Sequence, residues 1–119
     1  MAYRLTVTAT SQIETVMSHS LTHHRSHAAD LSAFLLQTAI EALGQDPALL
    51  GTRPIPRAPG LFAYPARLIS HRIAPSARVA APRHLIIYRL ANDGIVEILG
   101  LAHDRMVLSR AARTALHGG

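Results

Sequence analysis

The most regular pattern of apolar and polar positions lies between residues 83 and 102, where two apolar segments flank a polar turn. The segments RHLIIYRL and IVEILGLA are apolar at most positions, which is typical of strands buried on both faces of a sheet. Between them, Asn92-Asp93-Gly94 is among the strongest short-range signals for a hairpin turn. The pattern therefore predicts a central antiparallel hairpin.

The N-terminal part of the chain predicts one strand followed by two helices. Apolar residues alternate with polar ones from Tyr3 to Val7, as in a half-buried strand. Ser11 and Glu14 have the spacing of a capping box, and the following apolar residues recur at helical intervals, which predicts a helix over about residues 12 to 24. The Ala- and Leu-rich segment SHAADLSAFLLQTAIEALGQDP predicts a second helix, which ends near its glycine and proline.

Proline and glycine interrupt the chain between the second helix and the hairpin. GTRPIPRAPG and APSARVAAPR predict irregular connections, whereas LFAYPARLISHRI can form a strand that Pro65 confines to a sheet edge or a bulge. After the hairpin, DRMVLSRAARTAL predicts a short basic helix. The order β-α-α-β-β-β predicts a single α+β domain over residues 1 to 119, with a small antiparallel sheet and the N-terminal helical hairpin packed on one face. The expected sheet has three or four strands, and the expected core includes Leu31, Phe34, Leu35, Leu85, Ile87 and Ile98.

Composition excludes several classes of function. The chain has 119 residues, 49% of them hydrophobic, and no cysteine, so disulfides and thiolate metal sites are excluded. No apolar run is long enough to cross a membrane and no secretory signal pattern is present, so we expect a cytoplasmic protein without membrane contact. P-loop, dinucleotide-binding and G-x-S-x-G motifs are absent and acidic residues are sparse, so we expect neither a cofactor nor a metal.

Positive charge is concentrated in the middle of the chain. The formal net charge is +5, yet no acidic residue occurs between Asp46 and Asp93, a segment that holds seven arginines. Such a basic block attracts a polyanion or an acidic protein segment. A solvated basic face that only keeps the protein soluble explains the composition equally well.

Four histidines, His19, His23, His24 and His27, recur at intervals that would place some of them on one face of a helix. Two histidines on one helix face can ligate a metal ion. No carboxylate or cysteine completes a ligand set nearby, and Arg25 lies in the middle of the cluster. We therefore interpret these histidines as part of a solvated turn between the two helices.

The two ends of the predicted hairpin bring polar residues together. If the strands pair through the Asn92–Gly94 turn, Arg83 or His84 approaches His103. An arginine beside a histidine on an open sheet can cleave RNA without a metal, by general acid-base catalysis and charge stabilisation. The alternative interpretation is that these residues are ordinary polar strand ends.

The segment PRHLIIYRLANDGIVEILGLAHDRMVL, residues 82 to 108, resembles the C-terminal signature of the RelE/ParE toxin superfamily, and of its ParE branch of plasmid stabilisation proteins in particular. The signature consists of an Arg-His-aliphatic-aliphatic-Tyr-Arg strand, a turn, an Ile/Val-rich strand and a Leu-x-His segment. The resemblance is specific over about residues 82 to 110. It extends more weakly through the N-terminal strand, the helix pair and DPALLG.

The resemblance implies the toxin of a type II toxin-antitoxin system, which a co-expressed ParD-like antitoxin with an acidic C-terminal segment neutralises in a hetero-oligomer. ParE-like members inhibit DNA gyrase, which makes the protein a non-enzymatic toxin, whereas RelE-like members cut mRNA on the ribosome. The resemblance assigns target binding to Arg83, Arg89, His103, Asp104, Arg105, Arg110 and Arg113. It assigns antitoxin binding to Arg53, Arg57, Arg67, Arg72, Leu31 and Leu35.

The ribonuclease alternative would use Arg83, Arg89 and His103 as catalytic residues. The chain has no lysine and no tyrosine after Tyr88, although the ribonuclease branch typically combines basic residues with a C-terminal tyrosine or histidine. Gyrase is therefore the expected target. A third possibility is a basic nucleic-acid-binding module in which the same arginines contact phosphates.

Overall fold

A five-stranded mixed sheet forms the centre of the protein in the computed structural model, which describes residues 2–23, 26–79, 82–103 and 106–117, with side chains omitted for residues 17–30. The strand order is β1-β5-β4-β3-β2. Strand β1 pairs with β5 in parallel, and the other neighbouring strands are antiparallel. The strands span Tyr3–Leu5 (β1), Arg53–Pro54 (β2), Phe62–Pro65 (β3), His84–Leu90 (β4) and Val96–His103 (β5).

Three α-helices accompany the sheet within the described residues, together with two short 3-10 helices at Ala66–Arg72 and Pro75–Ala77. The α-helices span Val7–His23 (α1), Ser26–Gln45 (α2) and Leu108–His117 (α3). The prediction of an α+β fold is confirmed, as are the second helix, the hairpin and the short terminal helix. None of the described helices is both long enough and apolar enough to cross a membrane.

The predicted antiparallel sheet of three or four strands is wrong, because β1 lies parallel to β5 and β2 adds a fifth strand. The chain enters α1 directly after Leu5, so β1 has no hairpin partner next to it in sequence and instead pairs with residues 96–98. Pro65 ends β3, and Pro54 lies in β2 at the far edge of the sheet. This placement agrees with the restriction of proline to strand ends and sheet edges.

The first helix begins five residues earlier than predicted, because Thr6 and not Ser11 caps it. The Thr6 hydroxyl accepts a hydrogen bond of 3.1 Å from the backbone N–H of Ala9, which is the geometry of an N-cap residue. Ser11 lies inside α1, where its carbonyl accepts a hydrogen bond from the Thr15 hydroxyl. The predicted capping box is therefore wrong, and Val7 is a helical residue that is 89% exposed.

Side chains pack on both faces of the sheet because consecutive residues of β4 point in opposite directions. One cluster joins Leu35, Ile40 and Leu43 of α2 to Ile86 and other strand residues. The second cluster contains Leu85, Ile87 and Leu99 together with Ala112 and Ala115 of α3. Two layers of side chains thus cover the hairpin, which explains why both of its strands are apolar at almost every position.

Four of the six predicted core residues are buried: Leu35, Leu85, Ile87 and Ile98. Leu31 is only partly buried, and Phe34 is 51% exposed, so the prediction for Phe34 is wrong. The buried face of α2 is centred on Leu36, Ala39 and Leu43 instead. With 3.6 residues per turn, Phe34 lies on the side of α2 opposite this buried face, which explains its exposure.

Candidate functional site

The open end of the β4–β5 hairpin places two histidines against each other. His84 is the register partner of His103, and both side chains are half-buried. Directly opposed residues of an antiparallel pair project from the same face of the sheet. Their ring centroids lie 6.0 Å apart with perpendicular ring planes. The structure therefore confirms that His84 approaches His103, and it adds His84 to the candidate site.

A largely apolar cavity of about 480 Å³ opens beside the two histidines. Its walls include Thr15 and Val16 from α1, Leu101 from β5, and Met106 from the segment before α3. The Met106 sulfur accepts a hydrogen bond of 3.4 Å from the backbone N–H of His103, which holds the methionine against the hairpin end. An apolar cavity with a few converging polar groups has the general character of a ligand site.

Two side chains, one from α1 and one from its cap residue, form hydrogen bonds with backbone groups at the edge of β5, beyond the part of β5 that pairs with β1. The Gln12 carbonyl oxygen accepts a hydrogen bond of 2.8 Å from the backbone N–H of Leu101, and the Thr6 hydroxyl donates one of 3.2 Å to the Leu99 carbonyl. Gly100 makes this approach possible, since a Cβ atom there would lie 2.5 Å from Gln12 Oε1 and 3.1 Å from the Ala115 Cβ. These contacts satisfy backbone groups that an open strand edge would leave unpaired.

A second, more polar cavity of about 250 Å³ lies on the other side of His84. Its lining includes three arginines, Arg53, Arg67 and Arg83. The family resemblance assigns the first two to antitoxin binding and the third to target binding. All three side chains are exposed. The structure thus brings these arginines together beside the histidine pair.

Arg89, by contrast, lies far from the hairpin's open end. It is opposite Glu97 in the register, and its Nη2 atom is 2.6 Å from Glu97 Oε1. Its position five residues beyond His84 corresponds to roughly 16 Å along a strand. The predicted catalytic set of Arg83, Arg89 and His103 therefore does not form one site, because β4 separates Arg89 from the other two.

Glu97 belongs to a network of charged residues that fastens β1 to the hairpin. Arg4 donates hydrogen bonds of 2.8 Å to Glu97 and 2.9 Å to Asp93. The hydrogen bond from Arg4 is the largest of the effects that lower the pKa of Glu97, and hydrogen bonding by Arg89 lowers it further. Arg4 also lowers the pKa of Asp93. Arg89 is thus committed to a structural ion pair.

The remaining residues assigned to target binding belong to α3 or to the segment before it. Arg110 and Arg113 are exposed on α3. Arg110 also lines a groove of about 460 Å³ together with Gln12, Met106 and Val107. Asp104 and Arg105 lie outside the described residues.

The residues assigned to antitoxin binding differ in their exposure to solvent. Arg57 is exposed in the loop after β2 with a φ of 62°, and Arg72 is exposed at the end of a 3-10 helix. Leu35 packs in the core, so it is not available to a partner, whereas Leu31 remains partly accessible. The arginines, rather than the leucines, are therefore the accessible part of this set.

Metal-ligating side chains do not cluster in the part of the chain that the structure describes, where no group of three or more His, Asp or Glu residues could hold an ion. The side chains of His19, His23, His24 and His27 lie outside that part. The chemistry available at the hairpin end is therefore that of two imidazoles, neighbouring guanidinium groups and an apolar cavity. Comparison with known proteins adds nothing to this description: no family model matches the chain, and no curated protein matches it significantly.

Proposed function

We propose that this chain is the cytoplasmic toxin of a type II toxin-antitoxin system, of the ParE branch of the RelE/ParE superfamily. One observation carries the proposal. The segment that resembles the family signature forms a hairpin in which His103 lies at the open end, followed by an exposed apolar and basic surface. The α+β fold is compatible with the proposal, and we propose further that α1 and α2 form the helical hairpin that this family packs on one face of the sheet.

DNA gyrase is the proposed target, and the surface that follows β5 is the proposed contact. Met106 and Val107 are 55% and 56% exposed, and Arg110 and Arg113 are exposed beside them on α3. Methionine and arginine are enriched in protein interfaces, where apolar anchors are surrounded by polar and charged groups. Binding of this surface would stall the enzyme without any reaction catalysed by the toxin.

The gyrase proposal is tested with purified toxin in a supercoiling assay and in a growth assay. We expect the wild type to inhibit supercoiling, to arrest growth and to leave ribosome-bound mRNA intact. Met106→Ala and Arg110→Gln should weaken both inhibitory effects while antitoxin binding persists. Arg78→Gln removes an equal charge from an exposed position outside the proposed contact and should have no effect, once thermal unfolding verifies that loss of the hydrogen bond to the Ile73 carbonyl leaves the protein folded. Full supercoiling activity at saturating toxin would refute the choice of target.

The proposed antitoxin is ParD-like and has an acidic, partly disordered C-terminal segment that folds on binding. Exposed arginines, including Arg57 and Arg72, give the toxin a complementary positive surface. Association should therefore become slower as salt concentration rises. Co-expression with the neighbouring open reading frame is the direct test, because a cognate antitoxin must co-purify with the toxin and restore growth.

The His84–His103 pair favours one second candidate, a metal-independent ribonuclease. One imidazole would take the proton of a ribose 2′-hydroxyl, whose oxygen then attacks the adjacent phosphorus. The other imidazole would donate a proton to the departing 5′-oxygen, which leaves a 2′,3′-cyclic phosphate and a free 5′-hydroxyl. Arg83, at the neighbouring cavity, would stabilise the charge on the phosphorane.

The two candidates predict opposite results for His84. A ribonuclease should cleave ribosome-bound mRNA, and His84→Ala and His103→Ala should each abolish cleavage. In a gyrase inhibitor, His84→Ala should leave supercoiling inhibition intact, because His84 lies on β4 and outside the proposed contact surface that follows β5. His71→Ala serves as the control for both assays, since His71 is an exposed histidine on the 3-10 helix at Ala66–Arg72.

A further inference from the structure

The polar cavity beside His84 is built by three arginines from three separate segments. Arg53 lies in β2, Arg67 follows the end of β3 by two residues, and Arg83 immediately precedes β4. The sheet brings them together because β2 pairs with β3 and Pro65 of β3 is the register partner of Leu85. Their convergence is therefore a consequence of strand pairing and not of a local cluster in the sequence.

Nothing of opposite charge balances these arginines in the described part of the chain. The residues that line the cavity include no carboxylate, and the ion pairs among described residues are made by Arg4 and Arg89 instead. Three positive groups around a small cavity repel each other and raise the local positive potential. A bound anion relieves this repulsion, so the cavity has the electrostatic character of an anion site.

We propose that Arg53, Arg67 and Arg83 bind a phosphate ester, specifically the phosphate of a nucleotide. The planar guanidinium group forms paired hydrogen bonds that match the oxygens of a phosphate. Pro65 and Pro82 also line the cavity and restrict its backbone, so less conformational entropy is lost on binding. The volume of about 250 Å³ accommodates one phosphate group with part of its sugar.

The position of His84 indicates which kind of phosphate ester fits. His84 lines both the arginine cavity and the apolar cavity of about 480 Å³. A ligand that places its phosphate among the arginines can extend past His84 and pack the face of a flat ring against Val16 and Leu101. A nucleoside monophosphate unit has this combination, whether it is free or part of a single strand. The inference does not depend on the toxin proposal, since it concerns the cavity alone.

Titrations with three probes test the site: inorganic phosphate, uridine 5′-monophosphate and a short single-stranded oligonucleotide. Binding is followed by NMR signals of the arginine side chains and by calorimetry at constant ionic strength. We expect phosphate to bind weakly and the nucleotide roughly tenfold more tightly, because its base buries apolar surface. Tighter binding of the oligonucleotide than of the mononucleotide would identify a nucleic-acid strand as the source of the phosphate, and equal binding would identify a free nucleotide.

Single substitutions separate a built site from general attraction to positive charge. Arg53→Gln, Arg67→Gln and Arg83→Gln should each weaken nucleotide binding about tenfold, since each removes a charged hydrogen-bond donor. Arg78→Gln removes the same charge from an exposed position that does not line the cavity, and it should leave binding unchanged. Thermal unfolding without ligand verifies that every variant is folded. The proposal is overturned if Arg78→Gln weakens binding as much as the other three do, if no phosphate probe binds, or if a glutamate-rich peptide binds at the arginines and the nucleotide does not.

Discussion

Replacing Gly100 by alanine should destabilise the protein more than a single added methyl group ordinarily does. The new Cβ atom would lie 2.5 Å from Gln12 Oε1 and 3.1 Å from the Ala115 Cβ. The Gln12 side chain can move away, but it then gives up its hydrogen bond to the Leu101 N–H. Ala115 has no flexible side chain, so α3 itself must shift. One methyl group thus disturbs both helices that flank β5.

The expected cost combines two effects. Overpacking of a well-packed site costs about 1–3 kcal/mol. Leaving the Leu101 N–H without its partner adds about 1–3 kcal/mol if water does not replace it. We therefore expect Gly100→Ala to lower the free energy of unfolding by roughly 2–6 kcal/mol, which corresponds to a decrease in Tm of about 10–20 °C for a domain of this size. Gly60→Ala measures a different effect, the backbone strain of alanine at a φ of +80° with no atom within 4 Å of the added Cβ, whereas Gly100 lies in β5 without a positive φ.

A double-mutant cycle tests the structural reasoning. Gln12→Ala removes the oxygen that the new Cβ would meet, so part of the cost of Gly100→Ala should vanish in the Gln12→Ala background. We expect the double variant to be more stable than the sum of the single effects by about 1–2 kcal/mol, as measured by urea unfolding. Additive effects would show that Gln12 does not approach the β5 edge as described.

Three further outcomes follow from the described contacts. Tyr88→Phe should lower the free energy of unfolding by about 1–2 kcal/mol, because it removes the hydroxyl that lies 2.5 Å from the Pro47 carbonyl and 3.0 Å from Thr52 Oγ1. Urea unfolding measures this change, and a value within about 0.5 kcal/mol of the wild type would contradict the prediction. Unfolding experiments between pH 7 and 3 should show a loss of stability as the pH falls. The ionised Glu97 carboxylate contributes stability that is fully present above the ordinary carboxyl pKa of about 4, and this contribution is lost as the pH falls through the lowered pKa of Glu97. Arg4→Gln should reduce stability at pH 7 and make this acid-induced loss smaller, and an unchanged pH profile would refute the role of Arg4.

The hairpin and α2 were predictable because their signals are local. Both strands are apolar throughout, and Gly94 adopts the positive φ of 83° that the turn requires. The approach of His84 to His103 also followed from counting outward from the turn, although a register shift between Ile87 and Tyr88 prevents an exact count. The same register shows that Arg89 cannot join these residues, which the sequence interpretation overlooked.

The features that sequence analysis missed depend on partners that are distant along the chain. Nothing near Tyr3 indicates that β1 pairs in parallel with residues 96–98. Thr6 and Ser11 are both residue types that commonly cap a helix. In the folded protein Thr6 is the cap, and its hydroxyl also donates a hydrogen bond to the Leu99 carbonyl, a contact that the local sequence does not reveal. The arginine cavity joins residues that are 14 to 30 positions apart, so no motif search would have grouped them.

The parallel pairing of β1 with β5 also affects how the protein can fold during its synthesis. Residues 3–5 leave the ribosome before their partners at residues 96–98, which are translated more than ninety residues later. At about 5–20 residues per second, the N-terminal strand waits for at least several seconds before its neighbour exists. During this interval α1 and α2 are available to pack against each other, but Gln12 has no strand edge to cover. The native sheet is therefore completed only after β5 emerges, and a chain stalled before residue 96 exposes apolar surface that chaperones would recognise.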